Sequence, residues 1–400
     1  MDPSLRWDGS KKMFFPSRLH YFSHEINTEV KEVYWNAFIV NFALSITTLF
    51  EPIFLYGLGY SLVDILWFYC AVYLAYSVLV FAGGKVISWI GYKHAIFWSN
   101  IFYIIYWVML YQLKFHPELF LIAPIYFALQ KSFMWPAYHA DIAKNSIKDQ
   151  RGREVGLLFS LIQAASIVGP LLGGLISAFL GFKALFFVSS VLMLLSAYPL
   201  FRSSEIYTKH SFHFRNFWKI LKTYPQNFFG YWGYAEDLML MTLWPLYVFL
   251  AVPALLNVGL LVTVASFIAI VIMLYLGRFI DHQKKSHVLQ IASIAYGLTW
   301  LVRQFAVGFP AVFVFDALTR TGKALLNVPM TALTYKLAGQ GTANYAIAHA
   351  VFVEFSLSVG KVVTALLCIW ILSATQNIYY AFIVAGGLTM FYGLLSSKKR

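Results

Sequence analysis

Residues 34–57 read YWNAFIVNFALSITTLFEPIFLYG. Glu51 is the one charged residue in that run, and about 20 mainly apolar residues are enough for a helix to cross a bilayer. Runs of the same kind recur along the chain. They cover 62–84, 93–113, 118–145, 153–180, 182–201, 228–252, 255–279, 287–308, 310–338, 343–371 and 376–396. One such run could be the core helix of a soluble domain. A dozen cannot all hide behind one another, so most of their outer surface needs lipid as its solvent.

Composition agrees. Apolar residues make up 60% of the 400-residue chain and charged residues 12%; soluble proteins sit near about half and about a quarter. The expected fold is an all-α membrane protein with twelve transmembrane helices. The polar, mixed-charge start, 1–33, has no apolar core of a cleaved signal peptide, so the first apolar helix is expected to act as an uncleaved insertion signal. Cys70 and Cys368 lie in apolar runs, which argues against a disulfide framework or a metal cluster.

The formal charge of +13 is explained by where the bases fall. Twelve helices return the chain to the side on which it began. Of 30 Lys and Arg residues, 23 fall in the termini and loops of that side, against Lys114, Lys183 and Arg303 on the other. Positive loops stay in the cytoplasm, so both termini and the central break are expected there. A nucleic-acid partner is not indicated. The expected organisation is a cytoplasmic segment 1–33, a first bundle 34–201, a linker 202–227, a second bundle 228–396 and a short tail 397–400. Within the linker, FHFRNFWKILKTY alternates Phe214, Phe217, Trp218 and Leu221 with Arg215, Lys219 and Lys222. It reads either as an amphipathic helix on the inner membrane face or as a segment packed on helix ends.

The two bundles look like copies. Pro52 and Pro245 are 193 residues apart, as are Gly84 and Gly277, and Pro136 and Pro329; Gly169 and Gly360 are 191 apart. Proline and glycine inside apolar helices mark kinks and close contacts, so their coincidence carries more than matching leucines would. Six helices per copy is an even number. The copies should therefore share one membrane orientation and be related by a pseudo-two-fold axis along the membrane normal.

These motifs resemble the major facilitator superfamily of transporters. In the loop after the second helix that family has G-x-x-x-D-x-x-G-x-[RK]. Here the first copy reads Gly84-Lys-Val-Ile-Ser88-Trp-Ile-Gly91-Tyr-Lys93, with Ser88 in place of the acid, and the second keeps the acid in Gly277-Arg-Phe-Ile-Asp281. In the fifth helix the family's antiporter pattern, G-x8-G-x3-G-P-x2-G-G, is matched by Gly156, Ala165, Gly169, Pro170, Gly173 and Gly174. The resemblance implies a gating loop at Gly84, Ser88, Gly91, Gly277 and Asp281. It also implies a small-residue face along which the fifth helix packs on a partner across the interface. That face bears on antiport or is packing alone.

Charges inside spans are expensive and mark functional candidates. Glu51, Lys131, Glu236, Asp237, Asp316, Arg320, Lys323, Glu354 and Lys361 are such residues. The third, sixth, ninth and twelfth helices have none away from their ends, which suits the outer, lipid-facing places the resemblance implies for them. Lys131 maps by the repeat to the position beside Lys323, so each half offers a base at mid-depth. Gln163 maps to Glu354. We therefore expect Lys131, Trp135, Tyr138, Gln163, Trp232, Arg320 and Lys323 to contact a solute. Glu354, with Glu51, Glu236 and Asp237 behind it, is expected to carry a proton as its hydration changes. His139 and Asp141 form either a pair or a helix-end contact, and the charged residues of helices ten and eleven could instead pair to hold helices together.

No phosphate-cradling loop, metal spacing or catalytic constellation is present, so neither an enzyme nor a cofactor is expected. The sequence points to a monomeric secondary transporter that moves a small solute by alternating access, with proton-coupled efflux or antiport as the leading mode. A proton-coupled importer of an organic anion or sugar-like solute is the alternative within transport. A lipid scramblase or receptor-like relative is the alternative outside it. The expected location is the plasma membrane of a prokaryote.

Overall fold

The computed structural model describes residues 28–145, 151–202, 212–280 and 285–396. Among them every regular element is helical. The first half comprises α1 (Thr28–Thr47), α2 (Glu51–Gly57), α3 (Leu62–Ile90), α4 (Tyr92–Gln112), α5 (Leu119–Asn145), α6 (Arg151–Phe179), α7 (Gly181–Leu195) and α8 (Ala197–Leu200). After α9 (Phe214–Thr223) come α10 (Pro225–Gly230), a 3-10 turn Tyr231–Glu236, α11 (Asp237–Met241) and α12 (Leu243–Ala251). The chain continues through α13 (Leu255–Ile280), α14 (Lys285–Leu301), a 3-10 turn Val302–Phe305, α15 (Gly308–Ala338), α16 (Ala343–Thr375) and α17 (Ile378–Thr389), and ends in a 3-10 turn Met390–Leu394.

Helix thus occupies each of the twelve expected stretches among the described residues. Seven helices are long and apolar enough to cross a membrane by themselves. Three of the other five stretches fall short for visible reasons. α5 and α15 carry Lys131, Asp316, Arg320 and Lys323 in their interiors, and 228–252 is broken into four short pieces. Large apolar side chains such as Leu121, Phe179, Tyr275 and Trp370 stand exposed on the outside, as lipid-facing positions require.

The repeat prolines act alike. Pro52 lies in the first turn of α2 and Pro245 near the start of α12; each helix begins after a break, at Thr48–Phe50 and at Thr242. Proline has no N–H for the preceding turn, so the ladder fails upstream of it. Pro136 and Pro329 both lie inside long helices. Gly91, at φ 90°, is a conformation that L side chains avoid, and it lets α3 turn directly into α4. At the other end of α3, Ser61 and Asp64 form a capping box.

Small residues set the close helix pairs. A Cβ on Gly169 would collide with Ser45 of α1, and one on Gly173 with the Ile46 carbonyl and with Phe50. A Cβ on Gly360 would come 3.0 Å from Trp232. The repeat mates Gly169 and Gly360 therefore each seat their helix on the first rod of their own half. This corrects the expectation for Gly169, which faces its own bundle. The face toward the other half is Pro170 and Gly174: a Cβ on Gly174 would lie 2.8 Å from the Leu255 carbonyl of α13, and Leu171 N donates to Thr263 Oγ1 at 3.1 Å.

α3 contacts α16 in the other half as well as α5 in its own. A Cβ on Gly84 would come 2.7 Å from Val351 of α16. Ser88 is buried and donates to the Lys85 carbonyl at 2.6 Å. Lys93, from the same motif, forms an ion pair with Glu32 of α1 at 2.8 Å. Gly156 and Gly277 fall within α6 and α13, whereas Asp281 lies outside the described residues. The linker sequence FHFRNFWKILKTY does form a helix, α9. Phe217 is buried against Phe81 of α3 and Phe352 and Phe355 of α16, while Phe214, Arg215, Trp218, Lys219 and Lys222 point outward.

Candidate functional site

A cavity of about 340 Å³ lies at the meeting of the two halves. α1 contributes Asn41, α3 Tyr73 and Tyr76, and α5 Lys131, Trp135, Tyr138 and His139; the second half contributes Tyr234, Asp237, Asn327, Tyr335, Glu354 and Lys361. The walls are largely aromatic, with a few polar groups converging on the space, the usual build of a small-molecule site.

Two polar networks cross the cavity from one half to the other. In the first, Glu354 of α16 receives a hydrogen bond from Tyr76 of α3 at 2.9 Å and lies 3.2 Å from His139 Nε2 of α5. The Nδ1 of His139 is 3.0 Å from the Tyr335 hydroxyl of α15. Four helices, two from each half, are tied through one carboxylate and one imidazole. In the second, Asp237 is 2.7 Å from Lys361 and 3.3 Å from Lys323, Lys323 also pairs with Glu236, and Lys361 donates to Tyr73 at 3.0 Å. Two acids meet two bases, so this cluster is neutral. A buried charge left without its partner would be costly, so the arrangement holds as a unit.

Lys131 differs. Its ammonium lies over Phe127 at 4.4 Å and within 5.4 Å of the Tyr73 ring centre, and no carboxylate is within ion-pair distance among the described residues.

Several expected residues lie elsewhere. Trp232 packs on Phe228, Phe229 and Phe391 and covers Gly360, so it is outside the cavity. Arg320 is held 2.6 Å from Asp316, four residues earlier on the same helix, and Trp244 Nε1 donates to that aspartate at 2.7 Å. Gln163 is only partly buried, and its neighbour Ile162 is the lining residue. Lys323 and Glu236 stand behind Asp237 as its neutralising partners. Glu51 is fully buried away from the cavity, where Trp107 Nε1 donates at 2.8 Å, Tyr106 at 3.0 Å and Tyr69 at 3.4 Å. Arg303, expected in an outer loop, is buried against the Trp300 and Trp244 rings and donates to Thr319. His139 takes Glu354 and Tyr335 as its contacts within the cavity. That link was invisible in the sequence, where its apparent companion was Asp141, two positions away.

A profile described as Major Facilitator Superfamily matches residues 33–258. The chain belongs to the Major Facilitator Superfamily. A curated relative, Multidrug resistance protein 2 of Bacillus subtilis (strain 168), is 24% identical over 309 residues, which span 71% of this chain and 75% of that protein. Among solved structures, a variant of the E. coli fucose:proton symporter FucP superposes with a TM-score of 0.65 at 12% identity, over 91% of this chain and 97% of that one. The human organic anion transporter MFSD10 (TETRAN) gives 0.61 at 13% identity, over 92% and 99%. These structural likenesses are of fold. The superfamily consists of multi-pass membrane transporters, and this member is a secondary transporter rather than an enzyme.

Proposed function

We propose that this protein moves a small solute by alternating access, in exchange for or together with protons, with Glu354 as the proton carrier. The observation that carries the reading is the position of Glu354: its two oxygens face Tyr76 and His139 on two helices of the other half, at the wall of the central cavity. Protonating that carboxylate removes its charge and weakens both contacts. The tie between halves then loosens at the place where the solute sits. Solute and proton thereby bias one conformational equilibrium, which is the requirement for coupling. Asp237 is a poorer carrier, because Lys323 and Lys361 both hold it as an anion.

In this reading the rocking bodies are 34–201 and 228–396, both termini lie in the cytoplasm, and the Pro170–Gly174 face on α13 is a sliding surface. The loop distribution of Lys and Arg supports that orientation. α9 would lie at the inner face with Phe214 and Trp218 in lipid and Arg215, Lys219 and Lys222 at anionic headgroups. Exchange, in the sense of efflux, is favoured by the near-complete antiporter pattern in α6 and by the multidrug resistance relative. The name of the fucose:proton symporter supports the proton as coupling ion and leaves import as the second reading.

The test uses proteoliposomes and the solute that most stabilises the purified protein in a ligand screen. Parent protein should drive solute movement in response to an imposed pH gradient, and the gradient should set its direction. Solute exchange that ignores a pH gradient would remove the proton from the proposal.

A further inference from the structure

We infer that the cavity is built for an organic anion with an aromatic body, and that Lys131 receives its carboxylate or other anionic group. The inference rests on the transport reading for the cavity being the solute site, and deepens it by naming the class of solute.

Four bases held within the helices each have a carboxylate partner. Lys323 and Lys361 are neutralised by Glu236 and Asp237, Arg320 by Asp316, and Lys93 by Glu32. Glu354 has His139 and Tyr76. Lys131 is 8% exposed, lines the cavity, and has no such partner among the described residues. The charge of Lys131 reaches Glu51, but Glu51 lies beyond ion-pair distance and its oxygens are taken by Trp107, Tyr106 and Tyr69. A buried ammonium normally has a counter-charge. Here aromatic rings stabilise it partly, Phe127 at 4.4 Å and Tyr73 at 5.4 Å, and the remaining side is the cavity. A ligand that brings a negative charge completes the site, and one that brings a positive charge meets repulsion.

The body of the ligand follows from the walls. Trp135 and Tyr138 stand one and two helical turns along from Lys131 on α5, and Tyr103, Met134 and Met241 also line the cavity. Flat rings offset-stack or meet edge-to-face on such walls, and methionine adapts to their outline. A volume of about 340 Å³ admits one compact ring system.

Binding of three isosteric probes to the purified full-length protein, read by isothermal titration calorimetry, tests this: 2-naphthoate, 2-naphthamide and 2-naphthylmethylammonium. We expect 2-naphthoate to bind at least tenfold tighter than the amide, and the ammonium to bind no better than the amide. Lys131→Gln should bring 2-naphthoate down to the amide's affinity and leave the amide unchanged, whereas Lys131→Arg should keep the preference. Equal binding of carboxylate and amide by the parent, tighter binding of the ammonium, no binding of 2-naphthoate, or a preference that survives in Lys131→Gln would each overturn the inference. The parent series and Lys131→Arg keep the test decisive if Lys131→Gln does not fold. Vesicle exchange separates this inference from the transport reading. Binding of 2-naphthoate through Lys131 without its exchange in proteoliposomes supports the site and counts against transport. Exchange of tetraphenylphosphonium with no binding of 2-naphthoate supports transport and overturns the anion site.

Discussion

Gly174 of α6 and Gly259 of α13 face one another so closely that a Cβ on either would lie 3.3 or 3.2 Å from the other's Cα. A Cβ on Gly259 would also strike the Pro170 carbonyl. Gly259 was not singled out in the sequence, yet it is the partner that gives the α6 small-residue pattern its meaning. Without a side chain on either side, two backbones can pass at van der Waals distance while the halves move.

Gly259→Leu should therefore abolish transport and leave each bundle folded. Overpacking a close contact costs about 1–3 kcal/mol, and here the cost falls on the seam between the halves. Gly169→Leu should behave differently, because Gly169 presses on Ser45 within its own half: it should lower the thermal midpoint of the purified protein and its yield. Solute exchange and a thermal melt on both variants check this. Normal exchange by Gly259→Leu would show that α6 and α13 need no close approach.

The neutral cluster predicts a rescue. Asp237→Asn leaves Lys361 buried without its counter-charge, and breaking a buried pair costs about 3–5 kcal/mol. Asp237→Asn with Lys361→Gln removes both charges and should regain most of that stability, leaving Lys323 on Glu236. A double variant no more stable than Asp237→Asn alone would mean that the two residues do not act as a pair.

Glu51, once a candidate proton carrier, is expected to be structural. Three aromatic donors converge on it, and it does not line the cavity. Glu51→Ala should leave those donors unsatisfied at about 1–3 kcal/mol each and destabilise the first half. Glu51→Gln should fold and still respond to a pH gradient. A Glu51→Gln protein that exchanges solute but has lost that response would move the coupling site to α2.

For α9 the two faces predict two phenotypes. Phe217→Ala removes a buried ring at the α3–α16 seam and should cost about 3–5 kcal/mol. Neutralising Arg215, Lys219 and Lys222 together should leave the thermal midpoint near that of the parent. Its activity should lose any dependence on anionic lipid, each base being worth about 1 kcal/mol at such a surface. Titrating anionic lipid into the proteoliposomes distinguishes the two.

The helices and the breaks between the halves were legible because a bilayer imposes length and apolarity on whole segments, a signal that single substitutions do not erase. The repeat was legible through prolines and glycines, since backbone demands at Pro52, Pro245, Gly169 and Gly360 admit few substitutes. The site was legible only in part. Lys131, Trp135, Tyr138, Asp237 and Glu354 stand out as charged or aromatic residues within apolar helices, and they line the cavity. Counting cannot say which way around a helix a side chain points. Trp232 turned to cover Gly360, and Arg320 turned to its own aspartate. Partnerships between distant helices, such as His139 with Glu354 across the seam and Lys93 with Glu32 within the first half, depend on packing that no local pattern records.

In the proposed coupling, the carboxylate of Glu354, tied to His139 and Tyr76, carries the proton. Glu354→Gln keeps the size and the hydrogen-bonding capacity of the side chain and removes its titration. The deciding measurement compares solute counterflow with solute accumulation driven by a pH gradient, in the same proteoliposomes, for parent and Glu354→Gln. Counterflow should persist near the parent rate while gradient-driven accumulation is lost. Accumulation by Glu354→Gln equal to that of the parent would contradict the proposed coupling.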